Sequence, residues 1–277
     1  MNVIKGTIYD IEEAVDFAFP YQSKINTRCR PLSINCKKEE LTAIFESYVL
    51  RELHELLILK QDDKIVGVTP VYWMIEDKYV SYSQGPYCLE YKEGSLHFLK
   101  YIEEHFKGYK FYINTAKEHK LSNDFFHKNK FLKLEDATLL ELEKFNVYKD
   151  SVETQLLDEK NKESIYSSID RSIDEDTYWN SLRIKSALEK FIIIGYFNPD
   201  IKGFIIGRKG KKKSIEIINY TGNTYVKKEL LRTFLNQVQI EKLLRVMLYT
   251  EEKFEIELGK KHGFKEYDSN VCYIKYL

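Results

Sequence analysis

The two halves of the chain repeat the same order of apolar runs and turns, and this internal repeat constrains the fold more than any single motif does. The first half contains HELLILKQDDKIVGVTPVYWMIEDKYVSYSQG and the second contains KFIIIGYFNPDIKGFIIGRKGKKKSIEIINYTG. Each segment has three short apolar runs separated by polar turns, and the second run carries an early glycine, Gly67 or Gly203. Such runs and turns are typical of antiparallel strands joined as a meander.

The match between the halves continues beyond the meander. Each half then has a glycine-bearing loop, an amphipathic helix, a short strand, a second helix and a final strand. The first of these helices is predicted at residues 95–106 and 226–238, and the final strand at 137–142 and 271–276. We expect each final strand to close the sheet of its own half.

The repeat predicts two domains, residues 1–145 and 146–277, with the polar stretch 144–150 as the linker. The length of 277 residues fits one large domain or two small ones, and the repeat favours two. Because each half mixes a mostly antiparallel meander with helices, the expected fold class is α/β with a mixed sheet in each domain.

Helical sequence is also expected before each meander. It covers residues 38–53 in the first half and 158–169 and 174–188 in the second, where Asp174 or Asp176 would cap the last helix.

This order of elements resembles a tandem pair of GCN5-related N-acetyltransferase (GNAT) domains, and the resemblance covers nearly the whole chain. It is most specific in KKHGFKEYD near the C-terminus, which is similar to the family's Y-x-K-x-GF ending. The segment from Asn114 to Phe131 resembles the same region in the first half. The resemblance implies two tandem GNAT-like domains and acyl transfer from acetyl-CoA, or another acyl-CoA, to an amine.

In the GNAT fold the fourth strand splays from the fifth and leaves backbone groups for the pantetheine arm of CoA. The loop after the fourth strand opens a helix whose free N–H groups and dipole hold the pyrophosphate. The family pattern there is Q/R-x-x-G-x-G/A, and this sequence keeps one glycine of it in each half, Gly94 in Tyr91–Leu96 and Gly222 in Asn219–Thr224.

The two loops differ in charge. The first has Glu90 and Glu93, and an acid beside a pyrophosphate is unfavourable, whereas the second has no acid between Ile217 and Lys228. The second domain is therefore predicted to bind acyl-CoA and the first to be structural; the alternative is that both loops are plain strand-to-helix turns. The predicted cofactor-binding residues are Ile218, Asn219, Tyr220, Thr221, Gly222, Asn223 and Thr224.

The resemblance also suggests catalytic residues. Glu216 on the fourth strand is the candidate base, and strand alternation predicts that it shares a face with Ile218 and Tyr220. Many relatives have a proton-donating tyrosine five residues before the phenylalanine of the GF pair, but Phe126 and Gly259 stand there. Tyr220 is the candidate substitute, and the competing interpretation of Glu216 is an exposed strand glutamate.

Composition excludes several classes of protein. The 43 Lys+Arg balance 43 Asp+Glu, which argues against a nucleic-acid or anionic-membrane protein, and the basic run 208–213 is predicted to be a hairpin tip. The four cysteines and six histidines show no paired ligand spacing, so neither a metal site nor a disulfide framework is expected. Without a signal peptide or a long apolar stretch, the predicted location is cytoplasmic, away from membranes.

Three functions stay open on the sequence. The first is acyl transfer to a small-molecule or peptide amine. The second is a catalytically degenerate GNAT-fold protein that binds a ligand or partner, which the missing tyrosines favour. The third is an aminoacyl-tRNA-dependent aminoacyltransferase, against which the charge balance argues.

Overall fold

The computed structural model describes residues 1–29, 35–149, 151–173 and 178–277. The chain forms two compact units: unit 1 comprises Met1–Ala137 and Ser269–Leu277, and unit 2 comprises Thr138–Asp268. The predicted helix caps Asp174 and Asp176 lie outside the described residues. The mixed α/β fold class is confirmed in both units.

Unit 1 is a mixed sheet with helices on both faces. The strands that begin in it are β1 (Asn2–Lys5), β2 (His54–Gln61), β3 (Lys64–Met74), β4 (Tyr79–Tyr82), β5 (Tyr87–Cys88), β6 (Lys110–Thr115) and β7 (Leu132–Leu142), and its helices are α1 (Ile11–Gln22), α2 (Lys38–Leu50), α3 (Tyr91–His105) and α4 (Lys120–Lys128). The sheet order is β1-β2-β3-β4-β6, in which β4 and β6 are parallel and the other neighbouring strands are antiparallel.

Unit 2 has the same arrangement. Its further strands are β8 (Thr154–Leu156), β9 (Phe191–Phe197), β10 (Ile201–Lys209), β11 (Ser214–Tyr220), β12 (Arg245–Thr250) and β13 (Lys265–Tyr276), which ends in unit 1, and its helices are α5 (Lys162–Ser172), α6 (Ser181–Lys185), α7 (Thr224–Ile240) and α8 (Lys253–Lys261). The sheet order is β7-β12-β11-β10-β9-β8, and β11–β12 is the parallel pair.

The middle of the first strand of each meander is a continuous apolar run because both of its faces are buried. In β2, Leu57 and Leu59 join the core with α3 and α4, whereas Leu56 and Ile58 join the core with α1 and α2. In β9, Ile192 and Ile194 face the α7 core, whereas Ile193 packs with α5 and α6. The predicted meanders are confirmed, and the basic run 208–213 does lie at the β10–β11 hairpin tip.

The last strand of each sheet comes from the other half of the sequence. The prediction that each half closes its own sheet is therefore wrong. In unit 1, β6 pairs antiparallel with the last residues of the chain, from Val271↔Thr115 to Tyr276↔Lys110. In unit 2, β12 pairs antiparallel with the end of β7, including Val246↔Leu142. Hydrophobic alternation predicts a strand but carries no information about which sheet edge it joins.

Gly94, the glycine predicted in the loop after the fourth strand of the first half, lies in a helix instead. Gly94 is inside α3, which begins at Tyr91, so the segment Tyr91–Leu96 is helix and not a phosphate loop. A Cβ at Gly94 would lie 2.8 Å from both Cβ and Sγ of Cys88. The glycine therefore serves the close packing of α3 on β5.

The closing strands give a test with two matched core variants. Leu140→Ala, on β7, should destabilise unit 2 by about 2–5 kcal/mol, and Val271→Ala, on β13, should destabilise unit 1 by less because it deletes fewer methyl groups. Hydrogen exchange should show faster opening of β12 in the first variant and of β6 in the second. The reverse pattern would mean that each sheet is closed by its own half.

Candidate functional site

The backbone of unit 2 opens between β11 and β12. The two strands pair in parallel from Ser214↔Arg245 to Ile217↔Leu248, and no pair follows within the described residues. The register of β11 against β10 shifts here, because Ile206 pairs with Asn219 while Gly207 pairs with Ile217. Ile218 is thus a bulge residue, and a bulge bends its strand away from the regular ladder.

The loop after β11 leads directly into a helix N-terminus. Gly222 has φ +118°, a conformation that glycine adopts at low cost, and Asn223 caps α7 by accepting a hydrogen bond from Val226 N at 3.0 Å. Within the described residues no hydrogen bond engages the N–H groups of Thr224 and Tyr225. The site therefore joins an open strand edge to a helix end that favours anions.

Gly203 on β10 permits this loop to lie close to the sheet. A Cβ at this position would be 2.4 Å from the backbone oxygen of Thr221 and 2.8 Å from Cγ1 of Val226. The glycine near the start of the second run, which first revealed the repeat, thus has a steric function in unit 2. In unit 1 the matching Gly67 faces the ring of Phe98, and a Cβ at this position would lie 3.0 Å from Cε2 of that ring.

The structure places the predicted cofactor-binding residues around this opening. Ile218, Asn219 and Tyr220 form the part of β11 beyond its pairing with β12, and Thr224 is the first residue of α7. Thr221 connects the two elements, since its N–H donates to Phe204 O at 2.9 Å and its hydroxyl accepts from Phe204 N at 3.1 Å.

Glu216 lies on β11 before the opening and has a cationic partner. Arg208, directly opposite it in β10, donates from Nη2 to Oε2 of Glu216 at 2.6 Å. The Arg208 guanidinium in turn lies 5.6 Å from the centroid of the Trp179 ring. The Glu216 side chain is 25% exposed, and its other carboxylate oxygen, Oε1, accepts no hydrogen bond within the described part of the chain.

Tyr220 does not share the face of Glu216, so that expectation is wrong. Ile218 packs with the core that contains Trp179, whereas Tyr220 belongs to the core on the α7 side. The bulge at Ile218 inserts one residue and reverses the alternation after it. The Tyr220 hydroxyl donates to the backbone oxygen of Lys227, and burial raises the pKa of Tyr220 well above its ordinary range.

A buried polar cluster near the opening was missed by sequence reasoning. Glu255 on α8 is 6% exposed; its Oε2 accepts from the Thr250 hydroxyl at 2.6 Å, and its Oε1 pairs with Lys227 Nζ. The cluster ties the first turn of α7 to α8 and to the end of β12. One feature of the sequence could have indicated this cluster. Glu255 lies three residues before Leu258, which places a glutamate on the apolar face of a short helix.

The positions of the family tyrosines are core positions here. A Cβ at Gly259 would lie 2.8 Å from Cδ1 of Leu140. Phe126 is 1% exposed, and its ring centroid lies 5.1 Å from that of Phe131 and 5.7 Å from that of Tyr273. Neither position presents a proton donor.

The corresponding gap of unit 1 is occupied by the chain itself. β4 and β6 pair as far as Tyr82↔Ile113, and beyond them Cys29 forms an antiparallel bridge with Thr115. The N–H of Cys29 donates to Gln22 Oε1 at 3.0 Å, and Cys29 is 3% exposed. The edge of β6, which is equivalent to the edge of β12 that faces the opening in unit 2, therefore already has a backbone partner in unit 1.

The described ranges contain neither a metal-binding group nor a membrane-spanning helix. No group of three or more His, Cys, Asp or Glu side chains there is arranged to hold a metal ion. None of the helices in those ranges combines the length and apolar content needed to cross a bilayer.

Comparisons with known proteins bear on the fold. No family model and no curated protein matches the sequence. Among solved structures, a GCN5-related N-acetyltransferase from Sphaerobacter thermophilus is similar over 99% of this chain and 95% of its own, with a TM-score of 0.68 at 10% identity. A tandem GNAT protein from the clavulanic acid biosynthesis pathway is similar over 99% and 98%, with a TM-score of 0.58 at 9% identity.

This chain has the tandem GNAT fold. At such identities the similarity shows the fold alone, and it confirms the tandem GNAT fold that the sequence resemblance implies. A glucosamine N-acetyltransferase region of a fungal multi-domain GH3 β-N-acetylglucosaminidase is similar over 98% of this chain and 38% of its own, with a TM-score of 0.63 at 10% identity.

His119 gives unit 1 a predicted dependence on pH. It caps α4, its Nδ1 accepts from Ser122 N at 3.3 Å, and burial lowers its pKa from the ordinary 6.5 to about 4. The unfolded chain therefore binds the proton more tightly, so this contribution to stability is present above pH 6.5 and is lost as pH falls toward 4. Between pH 7 and pH 5 the loss should be about 2 kcal/mol.

His119→Asn tests this dependence by denaturant unfolding at both pH values, because asparagine keeps a capping oxygen and does not titrate. The variant should lose the His119 share of the pH dependence while α4 stays folded. An unchanged difference between pH 7 and pH 5 would contradict the assignment to His119.

Proposed function

We propose that the chain is an acyl-CoA-dependent N-acyltransferase whose donor site lies in unit 2. The observation that carries the proposal is the opening of β11 from β12 after Ile217↔Leu248, beside the N-terminus of α7, where the N–H groups of Thr224 and Tyr225 form no hydrogen bond within the described residues. The amides of a pantetheine arm can pair with the exposed backbone of residues 218–220. A pyrophosphate at Thr224 would receive N–H donors and the favourable end of the helix dipole.

Unit 1 is assigned a structural role. Its equivalent strand edge is bridged by Cys29, and its equivalent helix begins with Glu90 at the cap and Glu93 in the first turn. These carboxylates already occupy the helix end that would otherwise attract phosphate. One acyl-CoA per chain is therefore expected.

The proposed reaction forms one bond and breaks another. A neutral amine attacks the acyl carbon of the thioester, the tetrahedral intermediate collapses, the C–S bond breaks and CoA leaves as the thiolate. A base accepts the proton of the amine, and Glu216 is the proposed base because its Oε1 has no partner within the described residues. Tyr220 stays the proposed donor to the thiolate, a step that requires its hydroxyl to leave the Lys227 carbonyl.

The acceptor is proposed to be a small-molecule or peptide amine, in the cytoplasm, where acyl-CoA is available. The fungal region with a similar fold is a glucosamine N-acetyltransferase, so amino sugars belong in the first panel of acceptors. A second candidate function is supported by Phe126 and Gly259: a protein that binds CoA but has lost turnover. Binding of CoA without product on a broad amine panel would establish that alternative.

Acetyl-CoA binding is tested by a charge placed at the proposed phosphate site. Thr224→Glu puts a carboxylate on the first residue of α7, where it suits the helix dipole and keeps the fold, but it should weaken acetyl-CoA binding at least about tenfold. Titration calorimetry should show one site in the wild type.

The matched control is Lys92→Glu in the first turn of α3, which places a carboxylate at the helix start of unit 1. It should leave the dissociation constant of acetyl-CoA unchanged. Equal affinity in the wild type and Thr224→Glu would contradict the proposed site, as would a loss of affinity confined to Lys92→Glu.

The proposed base is tested by Glu216→Gln. Loss of general base catalysis should lower kcat by about 10²–10⁴-fold with little change in the KM for acetyl-CoA, measured by release of CoA thiol across a pH series. Glu255→Gln is the comparison, because it removes the other carboxylate near the opening. Full turnover in Glu216→Gln at every pH would exclude Glu216 as the base.

A further inference from the structure

An ion pair lies on the face of the unit 2 sheet that is turned away from α7. Arg208 on β10 and Glu216 on β11 are directly opposite each other, and Arg208 Nη2 donates to Glu216 Oε2 at 2.6 Å. Ile215 and Ile217, which flank Glu216, belong to the core on the α7 side, so strand alternation places Glu216 on the other face. Since directly opposite side chains begin only about 5 Å apart, the two charges form one compact group.

Both members of the ion pair have hydrogen-bonding groups left for a ligand. A guanidinium carries several N–H donors, and across the part of the chain that the structure describes Arg208 donates only to Glu216. Oε1 of Glu216 accepts no hydrogen bond there. The side chains of Arg208 and Glu216 are 41% and 25% exposed, so a small molecule can reach both charges at once.

Trp179 forms an apolar wall next to the ion pair. The guanidinium carbon of Arg208 lies 5.6 Å from the centroid of the Trp179 ring, within the range of a cation–π contact. The ring is fixed by edge contacts with Phe191, at a centroid distance of 5.1 Å, and with Tyr178, at 4.9 Å. Ile218 packs in the same cluster and is partly exposed. A ligand at the ion pair therefore also contacts apolar surface.

An accessible ion pair is complementary to a zwitterion. An α-amino acid carries an ammonium group and a carboxylate bonded to the same carbon. When it lies antiparallel to the Arg208–Glu216 pair, each of its charges meets the opposite charge, and a guanidinium can hold a carboxylate through parallel N–H···O bonds. An amine without a carboxylate would gain the attraction of Glu216 but would be repelled by Arg208. The site therefore favours a zwitterion over a simple amine.

We propose that the acceptor is a free α-amino acid with an apolar side chain. Arg208 holds its carboxylate, Glu216 holds its amino group, and its side chain lies against Trp179. The inference rests on the proposed function, because Glu216 is the proposed base and directly precedes Ile217, where the opening for the thioester begins.

The reaction at this site forms an N-acyl amino acid. The bound ammonium first releases one proton to water through Glu216. The neutral amine attacks the acyl carbon, the C–N bond forms, the C–S bond breaks and CoA leaves as the thiolate, while Glu216 accepts the second proton of the nitrogen. The product keeps the carboxylate but has lost the positive charge that Glu216 attracted, which favours its release.

The test compares acceptors that differ only in the carboxylate: L-leucine with 3-methylbutylamine, and L-phenylalanine with 2-phenylethylamine. With acetyl-CoA as donor, release of CoA thiol is measured at several acceptor concentrations. The kcat/KM of each amino acid should exceed that of its matching amine at least about tenfold, since a charge-assisted hydrogen bond has about that effect. Equal values, or a preference for the amines, would overturn the inference.

Arg208→Gln localises the preference to the ion pair. The ratio of kcat/KM for leucine to that for 3-methylbutylamine should fall at least about tenfold, mainly through a higher KM for leucine. Lys209→Gln is the matched control: it removes the next cation of β10, which pairs with Glu241 at the end of α7, and should leave the ratio unchanged. If Arg208 served only to hold Glu216 in place, the variant would lower turnover of both acceptors equally, and the inference would be wrong.

Two outcomes separate this inference from the proposed function. If amines are acylated and amino acids are not preferred, the assignment of the acceptor fails and the proposed function stands. If no acceptor is acylated, binding of L-leucine is measured by titration calorimetry. Binding to the wild type that is lost in Arg208→Gln would retain the ion pair as an amino-acid site without transferase activity, and no binding to the wild type would overturn both proposals.

Discussion

One extra residue in β11 determines the geometry of the candidate site. Ile218 has no counterpart in β10, and the parallel pairing of β11 with β12 ends immediately before it. A strand that bends away from its neighbour leaves backbone groups unpaired, and such groups are costly unless water or a ligand satisfies them. The loop that follows can lie close to β10 because Gly203 has no side chain that would clash with Thr221. Gly222 also adopts the positive φ that the loop requires.

The strand edge that faces the gap differs between the two units. In unit 1, Cys29 bridges Thr115 and is fixed through Gln22, which also accepts a hydrogen bond from the Tyr87 hydroxyl at 2.8 Å. In unit 2 the equivalent edge has no partner within the described residues, and the N-terminus of α7 lies beside it. One fold thus supports both a filled gap and an open one, which explains the proposed division into a structural and a binding unit.

The sequence predicted the meanders, the hairpin tip and the helices that follow, because apolar periodicity and turn residues are local signals. The predicted face of Tyr220 was wrong, because the bulge at Ile218 cannot be recognised from the alternation of SIEIINY. Gly94 was predicted to be a loop residue, whereas it lies in α3 and allows that helix to pack closely on Cys88. Sequence reasoning also assigned the closing strands to the wrong sheets and overlooked Glu255, because both depend on contacts between distant parts of the chain.

The proposed binding site for acyl-CoA is the opening of unit 2 and not the matching gap of unit 1. Hydrogen exchange of the wild-type protein, with and without saturating acetyl-CoA, tests it directly. Binding of acetyl-CoA should slow exchange at residues 218–226 and leave exchange at residues 83–91 unchanged. Slower exchange at residues 83–91, or no change at 218–226 under conditions in which acetyl-CoA is bound, would contradict it.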